Sequence, residues 1–104
     1  MQSKYEIIKD ALLNKKQIHA TYNGYHREMC PYVIGIKNGV EHALFYQFGG
    51  NSESGLDTLG SDKNWRCIEI EKLKDIIVKN GYWYTATNRS MYHTCVDEID
   101  EEVY

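Results

Sequence analysis

Two Asn-Gly pairs constrain this chain more than any other feature: Asn23-Gly24 and Asn38-Gly39 each stand between runs of alternating apolar and polar residues. A two-residue β-hairpin needs positive φ at both turn positions, and Asn followed by Gly reaches that region at least cost. Before the first pair, Ile18, Ala20 and Tyr22 alternate with His19 and Thr21, the pattern of a half-buried strand. A second strand follows over about residues 26–36 and a third over about 42–48, so three antiparallel strands form a meander. Pro31 lies inside the second run. It lacks an N–H to give to a ladder, which places it at a sheet edge or a bulge.

Ahead of the meander, Ser3-Lys4-Tyr5-Glu6 has the spacing of a capping box, and Ile7, Ile8, Ala11 and Leu12 recur at helical intervals. The spacing predicts one helix over about residues 4–14, closed by Lys15 and Lys16 at the negative end of the helix dipole. Residues 49–64 hold four Gly and three Ser without an apolar period, which predicts a long loop. Trp65 to Ile70 then reads as a fourth strand, residues 71–74 as a helical turn, and Asp75 to Lys79 as a fifth strand. Five short, curled strands predict a small barrel over about residues 17–79. The remainder, about 80–104, is expected to be an arm packed on it, so that residues 1–104 make one domain.

The composition fits a folded unit: 42% of the 104 residues are hydrophobic and 26% charged. There is no apolar run of membrane-spanning length and no apolar stretch near the start, so the expectation is a cytoplasmic protein without a membrane partner. Three cysteines, Cys30, Cys67 and Cys95, form neither a close pair nor a framework and are expected as reduced thiols. The net charge is −3, divided as +2 over residues 1–52 and −5 over residues 53–104. Five acids fall between Asp97 and Glu102, which predicts a solvated tail or a short final element. That balance does not support strong nonspecific nucleic-acid binding, which requires clustered cations. It leaves room for a local basic pocket.

The order of features along residues 5–84 resembles a stand-alone WYL-like domain, the sensor barrel of bacterial transcription regulators. The residues that carry the resemblance are Ile18 to Tyr22, Arg27-Glu28-Met29-Cys30-Pro31-Tyr32 with Gly35, and Asn38-Gly39. They continue through Leu44-Phe45-Tyr46-Gln47-Phe48-Gly49-Gly50, Ser52 and Ser54-Gly55, then Trp65-Arg66, Ile68, Leu73 and Ile76. The tripeptide that names the family falls on His42-Ala43-Leu44, where only the leucine is kept. The resemblance implies a mainly β fold with one N-terminal helix, a five-stranded SH3-like (Sm-like) barrel, no cofactor and no catalytic activity. The DNA-reading domain that accompanies such sensors is not expected in this chain.

The chemistry concentrates around Arg66, which resembles the arginine that the regulators use on negatively charged ligands. A guanidinium presents paired donors in one plane and suits phosphate or carboxylate. Arg27 can supply a second cation, and Gly49, Gly50, Ser52 and Ser54 have the makings of an anion-holding nest. His42, Tyr46, Gln47 and Trp65 complete the expected ligand-binding set, with aromatic rings able to stack on bases. The partner so implied is an anionic small molecule, a nucleotide or a single-stranded nucleic acid. A homo-oligomer or regulatory protein partner is the alternative, docking at an edge near Pro31 and along Tyr82-Trp83-Tyr84. His93 and Cys95, two positions apart, could meet Cys30, Cys67 or His42 around a soft metal, but with no second close pair no metal site is expected. Blandly, Arg66 would pair with Glu69 or Asp62 and the loop would be a plain connection.

Overall fold

The computed structural model describes residues 2–53, 55–86 and 95–103. Ser54 and residues 87–94, which include His93, lie outside the described residues. Helix α1 (Lys4–Leu13) begins at Ser3, whose Oγ accepts from the Glu6 amide at 3.1 Å while the Glu6 carboxylate accepts from the Ser3 amide. The helix stops short of the two lysines. Lys15 has a φ of 51° and the Lys16 amide donates to the Ala11 carbonyl, a left-handed closure in the last turn.

The strands are β1 (Gln17–Tyr22), β2 (Tyr25–Lys37), β3 (Val40–Gly50), β4 (Trp65–Glu69), β5 (Lys74–Lys79) and β6 (Glu98–Glu102). Both Asn-Gly pairs form the hairpins that their chemistry demands: Tyr22 pairs with Tyr25 and Lys37 with Val40, with positive φ at Asn23, Gly24, Asn38 and Gly39. The sheet runs β4-β3-β2-β1-β5, antiparallel throughout, and β6 adds to β2. Among the described residues β4 and β5 do not pair, so the sheet is open rather than a closed ring. A single 3-10 turn, Ile70–Lys72, carries the chain from one edge strand to the other.

Strand β2 has β3 along one side and two successive neighbours along the other: β1 opposite residues 25–29 and β6 opposite residues 33–36. Pro31 sits in the interval between them, next to a register shift against β3 between Pro31 and Val33. Of the two placements that proline chemistry allows, the chain takes the bulge and not the edge, because β2 is the central strand. Gly35 is needed where β6 crosses, since a Cβ there would lie 2.0 Å from the Glu98 carbonyl oxygen.

Two apolar clusters fill the two faces. On one, Ile8, Ala11 and Leu12 of α1 pack on Ile18, Met29, Ile34, Phe45, Ile68 and Leu73. On the other, Tyr32, Leu44 and Tyr46 are covered by Ala86, Val96 and the rings of Trp83 and Tyr84. Each fully buried Ile, Leu or Phe contributes roughly 1.5–3 kcal/mol relative to exposure. The Tyr32 hydroxyl donates to the Tyr84 carbonyl at 2.6 Å, which pins the arm to the sheet.

Cys67 of β4 and Cys95 are joined by a disulfide, with Cα atoms 6.2 Å apart. This corrects the expectation of three thiols. Spacing in sequence says nothing of proximity here, because 28 positions separate two cysteines that the returning arm brings together. Cys30 is free and buried, and burial pushes its thiol up to about 11.

Candidate anion pocket

The register of the first hairpin places Arg27 opposite Ala20, on the inward face of β2 with Tyr22 and Tyr25. Only 4% of Arg27 is exposed. Its guanidinium carbon lies 5.0 Å from the centre of the Tyr22 ring, a cation–π contact, and its buried Nε has no hydrogen-bond partner. Arg66 stands on β4 opposite Phe45. Its Nη2 donates to the Gly55 carbonyl at 2.9 Å and its Nη1 to the Lys63 and Trp65 carbonyls, while Nε is buried without a partner.

The two arginines, with Ser52, Tyr22, Asn23 and Glu53, line one pocket of about 310 Å³ that also touches Cys67 and Ile68. A neighbouring pocket of about 360 Å³ reaches Arg66 from its other side, through Gly55, Asp57 and Lys63. Burial lowers the pKa of both guanidiniums, and Arg66 lowers that of Arg27 further because the two cations repel. Arginine stays protonated under such perturbation, so both charges persist. Among the described residues neither forms a salt bridge: the ion pairs are Lys9–Asp100, His26–Glu28 and Lys72–Glu69. Arg66 is therefore not paired with Glu69 or Asp62; it spends its fork on backbone carbonyls that hold the loop closed.

The loop is shorter and tighter than expected. Gly49 and Gly50 belong to β3, where Gly50 pairs with Arg27. Three amides of the described loop residues, those of Asn51, Ser52 and Gly55, are committed within the fold, while Ser54 lies outside the described residues. The Asn51 amide donates to the His26 carbonyl, the Ser52 amide to Asn51 Oδ1, and the Gly55 amide to the Ser52 carbonyl. Ser52 Oγ donates to the Gly55 carbonyl at 2.9 Å.

Of the other expected residues, Gln47 and Tyr46 support the loop from beneath. Gln47 is buried and its Nε2 donates to the Gly49 and Asn51 carbonyls. The Tyr46 hydroxyl donates to the Ser61 carbonyl and accepts from the Gly60 amide, each at 2.9 Å. Trp65 packs edge-on against Tyr32 and Tyr46, at 5.0 Å between ring centres in both cases. These rings are packed among themselves rather than laid out as a platform. Tyr84 likewise stacks on Phe48 at 4.3 Å, and among the arm's described rings Tyr82 alone is largely exposed, at 72%. His42 is not at the pocket; its Nδ1 lies 2.9 Å from the Val40 carbonyl, on the face of β3 opposite Phe45.

Tyr22, Asn23, Glu53 and Cys67 were not foreseen. For Tyr22 the signal was present, since a two-residue turn pairs residues 22 and 25 and so sets Tyr22 diagonal to Arg27 on one face. Of the residues weighed above as soft-metal ligands, His93 lies outside the described residues. Cys67 and Cys95 are bonded to each other, and Cys30 faces the Tyr82 carbonyl at 3.9 Å. Comparison with protein-family models, curated proteins and solved structures found no match.

Proposed function

We propose that this chain is a non-enzymatic binding domain, similar to the WYL-like regulatory modules and their SH3-like barrels, that takes a small anion or nucleotide at the pocket between Arg27 and Arg66. One observation carries the reading. A buried guanidinium, Arg27, and a half-buried one, Arg66, share a cavity, and no carboxylate among the described residues lies within ion-pair distance of either. Burying an uncompensated charge costs several kcal/mol, and an entering phosphate or carboxylate offsets that cost while taking bidentate hydrogen bonds. The meander order β4-β3-β2-β1-β5 and the 3-10 turn between β4 and β5 support the barrel comparison. A cytoplasmic setting requires that the Cys67–Cys95 bond withstand or respond to reductant there.

Thermal unfolding with inorganic phosphate, ATP and short oligodeoxynucleotides tests the reading. The wild type should be stabilised by at least one of these, and Arg27→Met should abolish the shift. An equal shift in Arg27→Met overturns it. Without ligand, Arg27→Met should be as stable as the wild type or more so, by about 1 kcal/mol, because the isolated charge is removed.

A second reading, a protein-interaction or oligomerising module, draws on a groove of about 480 Å³ lined by Leu59, Tyr82, Trp83 and Tyr84. Leu59 and Tyr82 are 62% and 72% exposed beside it. Light scattering decides it: a monomer at high concentration counts against self-association. The edge near Pro31 has no part in this reading, since β2 is paired on both sides.

A further inference from the structure

Strand alternation separates the residues of the first hairpin into two sets. Arg27 and Met29 point with Ala20 and Ile18 toward the buried side. His26 and Glu28 point the opposite way, as does His19, which pairs directly with Glu28 across the β1–β2 ladder. One ligating atom from each of His19, His26 and Glu28 falls within 4.8 Å of the others. His26 Nε2 is already 3.2 Å from Glu28 Oε2.

We infer that His19, His26 and Glu28 form a binding site for a divalent transition-metal ion of the zinc class. Metal–nitrogen and metal–oxygen bonds of about 2.0–2.2 Å around a tetrahedral ion set neighbouring ligand atoms roughly 3.4 Å apart. The His26–Glu28 pair meets that spacing as it stands, and the ligating atom of His19 lies within 4.8 Å of both. Two imidazoles and a carboxylate fill three positions and leave the fourth open toward solvent for water or another small donor.

Two further contacts fit a ligand shell. Gln17 Nε2 donates to the Tyr82 carbonyl at 2.8 Å, which turns Gln17 Oε1 toward His19 Nε2, 2.9 Å away. An amide oxygen can only accept, so His19 carries its proton on Nε2 and keeps the lone pair of Nδ1 for the metal. This outer contact is the kind that orients a ligating imidazole. The ring is also held by Phe48, edge-on at 6.0 Å between centres. On β3, Gly49 pairs with Glu28, and the Glu28 carboxylate occupies the space a Cβ there would need: Oε1 would lie 2.3 Å from it.

The site is independent of the arginine pocket, because it uses the other face of the same hairpin. Isothermal titration of the tag-free chain with zinc chloride tests it. The wild type should bind one ion per chain. His26→Ala and Glu28→Gln should each remove that binding, and Gln17→Ala should weaken it by about 10–100-fold, the range for loss of an outer-shell partner. His42→Ala and Arg27→Met should bind zinc as the wild type does. Circular dichroism and thermal melting check that each variant is folded. Absence of zinc binding to the wild type, or binding undiminished in folded His26→Ala and Glu28→Gln, overturns the site whatever the outcome at Arg27.

Discussion

The Tyr5 hydroxyl donates to Asp100 Oδ2 at 2.7 Å, and Lys9 Nζ reaches the same oxygen at 3.1 Å, so one carboxylate of β6 is clamped by two consecutive turns of α1. The chain's two ends are thereby bound to each other as well as to the sheet.

That clamp sets the response to pH from both sides. The Tyr5 hydrogen bond and Lys9 hold the Asp100 carboxyl below its usual range, so its contribution is present above the unfolded value, about 3.9, and is lost as pH falls through the lower folded value. Burial and Asp100 push the Tyr5 hydroxyl well above its usual range, so its contribution is complete below about pH 10 and is lost as pH rises beyond it. Urea titrations across pH should show Asp100→Asn flattening the acid limb and Tyr5→Phe the alkaline limb. Unchanged limbs in both variants would remove the clamp from the account.

Tyr46 bonds two loop groups through one hydroxyl. Tyr46→Phe keeps the ring and its packing with Trp65 while leaving the Gly60 amide and Ser61 carbonyl without that partner. It should cost about 1–3 kcal/mol in chemical denaturation, the usual penalty for deserting a buried polar group. Amide exchange over residues 55–61 should quicken more than in β1.

Reduction should loosen the arm. Closing 28 positions by a crosslink is worth about 3–4 kcal/mol in chain entropy, so dithiothreitol, or Cys67→Ser with Cys95→Ser, should lower the unfolding free energy by up to that amount. The native oxidised chain should be silent to a thiol reagent at neutral pH, since Cys30 is buried with its thiol pushed up to about 11. Rapid labelling of two thiols before any reductant is added would show that the bond is not made.

Much of the fold was legible because its signals are local. The capping box at Ser3 and Glu6, the two Asn-Gly turns and the alternation through Ile18 and Ala20 each act within a few residues, and each produced the element that it predicts. What escaped depends on distance in the chain. Strand β6, Glu98–Glu102, has no buried face, with Ile99 46% exposed, so no period announces it; it exists because β2 is long enough to receive it. The Cys67–Cys95 bond escaped for the same reason. At the pocket, Arg27, Ser52 and Arg66 were foreseen and are brought together, but residue type alone could not tell that the loop amides would be used internally. The approach of His19, His26 and Glu28 follows from the hairpin register, a relation across a ladder that spacing along the chain does not display.

The succession of β1 and β6 along one side of β2 gives the molecule a removable patch. Were the terminal segment to peel away, the backbone from Val33 to Ile36 would be left with open donors and acceptors in the middle of a sheet, fitted by shape and register to the same segment of a second molecule.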